Sequence, residues 1–120
     1  MGSENMAKYL MLIYENEARW ANASTEQARE VMKRHDDFVA AHGAILRGGH
    51  ALQPTSTATS VRADTSGDVA ITDGPFVETK EAVGGYYVIE AANLDEALAV
   101  ARAIPAPFGG VEIRPVREFT

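Results

Sequence analysis

The sequence predicts an α+β fold, a ferredoxin-like split β-α-β plan carrying an inserted β-hairpin. Three observations lead there. Short apolar or alternating runs fall in order with two segments of helical period, giving β-α-β-(hairpin)-β-α-β. No internal repeat or linker interrupts that order. At 120 residues the chain can bury one core but not two.

The opening "MGSEN" (1–5) reads as an expression-vector remnant, leaving 6–120 as a single domain. "AKYLMLIYE" (7–15) is a strand. Tyr9, Met11 and Ile13 point to one face, Leu10, Leu12 and Tyr14 to the other, and both faces are apolar. "STEQAREVMKRHDDFVAAHG" (24–43) is a helix, with Ser24 and Gln27 in capping-box spacing and Gly43 at its end. Its stripe is Ala28, Val31, Met32, His35, Phe38, Val39 and His42, with the charged residues opposite.

A short strand follows around Ile45–Arg47, then a loop with Gly48, Gly49 and Pro54. "TSVRA" and "VAIT" form a hairpin joined by "DTSGD", where Gly67 supplies the turn. "GGYYVIEA" (84–91) is a strand rich in aromatic and β-branched residues. "NLDEALAVARAIP" (93–105) is a second helix, capped by Asn93 with Glu96 three residues on and stopped by Pro105. Its stripe is Leu94, Ala97, Leu98, Ala101 and Ile104. "GVEIRPV" (110–116) alternates as an edge strand ending near Pro115. Two helices cover only one face of such a sheet. The two-sided strand 7–15 therefore requires a second cover, and another copy of the chain is the simplest one.

Composition narrows the function. A net charge of -6 and no basic run longer than Lys33-Arg34 argue against nucleic acid and anionic membrane as partners. The absence of cysteine removes disulfides, thiolate nucleophiles and cysteine metal sites, and suits a reducing cytoplasm. "YLMLIY" is too short to span a bilayer. The histidine spacings contain no H-x-x-x-H or H-E-x-x-H, so a metal is not expected, and "RGGH" and "VGGYY" lack the spacing of phosphate loops, so no cofactor is expected either.

The segment "TDGPFVETKE" (72–81) is the least routine. A turn aspartate ordinarily accepts the N–H two residues on, but here that residue is Pro75, which has none. Asp73 is thus either a turn residue bonding Phe76 or a carboxylate free for a site. His35, mid-helix on the apolar stripe, is its candidate partner, because a carboxylate-oriented imidazole makes a proton acceptor near neutral pH. A core histidine bonded to a backbone carbonyl is the alternative. His42 fits a helix-end carbonyl contact, and His50 has no assigned role. Lys80 either pairs with Glu78 on a solvated loop or offers a cation to an anionic substrate.

"LQPTSTATSVR", "TDGPFVETKE", "GGYYVIE", "DEALAVARAIP" and "VEIRPV" together resemble the DGPF branch of the YCII-related family, from about Tyr9 to Val116. The resemblance implies a homodimeric α/β barrel. It also implies a His/Asp pair, carried over as His35 and Asp73, and a link to extracytoplasmic-function sigma factors by family association. The resulting expectation is a small-molecule enzyme or binder in which His35 acts as base and Asp73 orients it. Arg47, Phe76 and Lys80 would contact a small anionic organic molecule. The alternative is a non-catalytic dimer that senses a ligand or contacts a sigma factor.

Overall fold

Met11 and Ile89 are the largest side chains wholly removed from water, and both lie on central strands of one sheet. The computed structural model describes residues 6–119; the 1–5 stretch lies outside the described residues. Strands β1 (Ala7–Asn16), β2 (Leu46–Ala51), β5 (Glu81–Ala91) and β6 (Gly109–Pro115) form a four-stranded sheet in the order β2-β5-β1-β6. Each adjacent pair is antiparallel. Strands β3 (Thr59–Ala63) and β4 (Val69–Asp73) form a separate two-stranded hairpin. This is the split β-α-β order with its insertion.

Helices α2 (Thr25–His42) and α3 (Leu94–Ala101) contribute Phe38 and Ala97 to the core. These pack with Tyr9, Met11, Ile13 and Ile89 on one face of the sheet. Pairing across the strands sets Leu10 beside Val88, and Leu12 beside Tyr86, on the opposite face. Those residues remain only half-buried.

Several bounds differ from the sequence expectation, each for a local reason. β2 runs on through Gly48 and Gly49, which had read as loop, because Gly49 pairs with Tyr87. A Cβ at Gly49 would lie 2.7 Å from the Tyr86 carbonyl oxygen and 2.7 Å from Tyr87 Cδ1. β5 begins at Glu81 rather than at 84, since a register shift at Ile13/Tyr14 lets Val83, Ala82 and Glu81 continue the ladder. α3 closes at Ala101 because, after the Arg102 N–H bonds the Leu98 carbonyl, the Ala103 and Ile104 N–H groups bond three residues back and tighten the chain before Pro105. A five-residue helix, α1 (Glu17–Ala21), follows β1; Asn16 caps it through the Arg19 N–H. It is too short to show a hydrophobic period. The capping box of α2 forms as its spacing predicts, with Ser24 and Gln27 each bonding the other's backbone N–H.

Among the described residues no helix is long and apolar enough to cross a membrane.

Candidate functional site

The apolar stripe of α2 is not a uniform core stripe. Phe38 is buried, while Val31, His35 and His42 are half-buried, and Met32 is 67% exposed. The helix is anchored on the sheet near its C-terminal end. Its earlier turns, through Ala28, Val31, Met32 and His35, instead wall a trough that α1 closes with Trp20. The trough has a volume of about 770 Å³ and adjoins a smaller cavity of about 280 Å³. Glu15 and His35 line both. Residues that satisfy helical amphipathicity here serve as pocket wall, a role their spacing cannot distinguish from core.

His35 Nδ1 lies 2.8 Å from the Tyr87 hydroxyl. Tyr87 also packs on Phe38, with ring centroids 4.9 Å apart, and Gly49 leaves the room its ring occupies. Burial lowers the His35 pKa below its ordinary 6.5; Arg34 reinforces this, while Glu15, Asp36 and the Pro105 backbone oppose it. The neutral form of the ring is therefore favoured. A nearby backbone carbonyl favours an N–H on the ring, so the tautomer suiting both neighbours has Tyr87 donating its O–H to Nδ1. Burial, followed by Asp36, raises the Tyr87 pKa, which keeps that proton on the phenol.

Glu15 is the residue that sequence reasoning passed over. It is 9% exposed, and its Oε2 accepts the Phe108 N–H at 3.1 Å. Phe108 in turn meets Trp20 edge-on, with centroids 5.0 Å apart, and lies under Arg19. The signal was present in the strand alternation: Glu15 follows Tyr9, Met11 and Ile13 on the inward face. Glu17 accepts both the Thr55 N–H and the Thr55 hydroxyl, tying the 55–57 turn to the trough.

The structure does not bring the remaining candidates to His35. Asp73 ends β4, is exposed, and pairs with Thr59 in the hairpin ladder. Its carboxylate has no hydrogen-bond partner among the described residues, and within one chain the partner of His35 is Tyr87. The physical reason is topological: the hairpin is a separate sheet, and Asp73 does not line the trough. Gly74 takes φ +95°, donates its N–H to Ala58 and accepts the buried Ser60 hydroxyl. The "DGPF" turn is thus a built corner of the hairpin. Phe76 is 60% exposed beneath the Arg62 guanidinium, 4.3 Å from its centroid. Arg47 is engaged with Glu90 at 2.9 Å and with the Ala44 and Leu46 carbonyls. Lys80 sits on an exposed loop. Neither cation lines the trough.

Of the other histidines, His42 donates Nδ1–H to the Phe38 carbonyl, and His50 lies against Tyr86 in the smaller cavity. Among the described residues no three His, Asp or Glu side chains converge as a metal site.

The sequence pattern of the YCII-related domain matches residues 7–120. An uncharacterised protein of Rhizobium meliloti (strain 1021), R00369, is 36% identical over 117 residues, covering 90% of each chain.

Proposed function

From the premise that the chain belongs to the YCII-related family, we propose that it is a cytoplasmic, homodimeric small-molecule enzyme of the DGPF branch. The Asp73-Gly74-Pro75-Phe76 turn supports the branch assignment. The trough beneath α2 is the substrate site. The observation that carries this reading is the neutral, Tyr87-held His35 in a roomy apolar cavity. A desolvated imidazole near its neutral form is a proton acceptor at physiological pH, and the phenol beside it fixes its orientation. The chemistry it suits is proton abstraction or addition–elimination on a small organic molecule. His35 is the base, taking the substrate's proton by way of the Tyr87 hydroxyl, which passes its own proton to Nδ1, and Glu15 is the charged group facing the same space.

The homodimer rests on the sheet face opposite the helices, where Leu10, Leu12, Tyr14, Tyr86 and Val88 lie together half-buried. An apolar sheet face of this kind is ordinarily covered.

The test is a small-molecule screen read by the His35 imidazole NMR signals. Ligands should shift those signals in the native protein, and His35→Gln should abolish turnover of any compound found to react. Compounds that bind without ever perturbing His35 would overturn the reading.

A second reading is favoured by one observation, the exposure of Val61, Val69, Ile71, Phe76 and Val77 along and after the hairpin. A regulatory dimer that contacts a protein such as a sigma factor would use that surface. In that case hairpin substitutions, and not His35→Gln, would abolish function.

A further inference from the structure

We propose that the trough selects a cationic organic ligand, an ammonium on an apolar or aromatic skeleton, with Glu15 as its counter-charge. The inference rests on the trough being a binding site, and it reverses the sign of ligand expected from Arg47 and Lys80.

Glu15 is more than nine-tenths buried, yet among the described residues it has no cation partner. Its Oε2 is occupied by the Phe108 N–H, while Oε1 accepts nothing. Among the described residues no buried side-chain N or O is left without a partner, so Oε1 keeps open space beside it. That space is the cavity, because Glu15 lines both of its lobes. A carboxylate with one free oxygen turned to the cavity has acceptor capacity to spare, which a donor cation placed there would take up.

The remaining wall agrees in sign. Among the described residues, the ionisable groups lining the trough are Glu15, Glu17 and His35, with no Lys or Arg. The neutral form of His35 is favoured, and Glu17 is already held by Thr55. The nearby cation Arg19 is turned onto Phe108. Trp20, fixed edge-on by that same Phe108, supplies an aromatic wall that favours an ammonium over an anion. An anionic ligand would meet two carboxylates and no compensating charge.

Calorimetry and His35 NMR with three matched probes test this: phenethylammonium, 2-phenylethanol and phenylacetate. The ammonium should bind at least about tenfold more tightly than either of the others. Glu15→Gln should remove that preference while keeping the weak binding of the neutral alcohol. Equal affinity for all three, or preference for phenylacetate, overturns the charge assignment and leaves the pocket reading intact. If none of the three moves the His35 signals at millimolar concentration, the pocket reading fails and the inference fails with it. Because the native protein alone separates these outcomes, the test stands even if Glu15→Gln folds poorly.

Discussion

His35 and Tyr87 are coupled through one hydrogen bond, and that bond makes a measurable prediction. A phenol that donates to the ring stabilises the neutral imidazole, so Tyr87→Phe should raise the His35 pKa. Asp73→Asn should leave it unchanged, since Tyr87 rather than Asp73 holds the ring. NMR titration of the single variants decides between the two partners. The same lowered pKa sets a pH dependence of stability. Below the ordinary 6.5 the unfolded chain protonates this histidine while the folded protein resists doing so. Unfolding then takes up a proton, and stability falls as pH drops from about 6.5 through the lower folded value. Denaturant melts of the native protein and His35→Gln across that window should show the slope in the first and its reduction in the second.

At the scale of elements, the two faces of β1 separate two kinds of failure. Met11 is completely buried among the helices, whereas Leu12 lies on the face turned away from them. Met11→Asp places an unpaired charge in the core and should unfold the chain. Leu12→Asp should leave a folded chain that no longer self-associates. Circular dichroism and light scattering on the pair distinguish these outcomes. β2 makes another prediction. At Gly49 an added methyl meets the backbone of Tyr86 and the ring of Tyr87. Gly49→Ala should therefore cost on the order of 1–3 kcal/mol of stability, the range for overpacking, and displace the His35 signals through Tyr87. Sequence alone had assigned that glycine to a loop. The β2–β5 ladder and the close approach of Tyr87 explain why it is a strand residue.

For the whole molecule, the radius of gyration is 16.8 Å, above the roughly 14 Å of a compact domain this long. The hairpin contributes to the excess, because the extensive contacts of β3 and β4 are with each other. A two-stranded ribbon is marginal by itself in water, and its exposed Val61, Val69 and Ile71 await a cover. The homodimer proposed above would cover the open sheet face. Sedimentation at micromolar concentration should give a dimer, and a stable monomer would refute it.

The order of the strands and the two longer helices, the capping box and the division of β1 into two faces were legible in the sequence because each depends on neighbours along the chain. The alternation of Tyr9, Met11 and Ile13 is a period of two, and the Ser24–Gln27 box spans three residues. The site was legible only in part. His35 stood out as an imidazole on an apolar stripe, but its partner depends on which strand pairs beneath α2. That strand is β5, which presents Tyr87 more than fifty residues away. The distance between α2 and the sheet was also a tertiary decision, since a helical stripe reads the same against a core or against a cavity. Glu15 shows the division most clearly. Alternation placed its side chain on the face of Tyr9, Met11 and Ile13, but only the packing of α1, α2 and the Phe108 loop left that carboxylate a cavity to face.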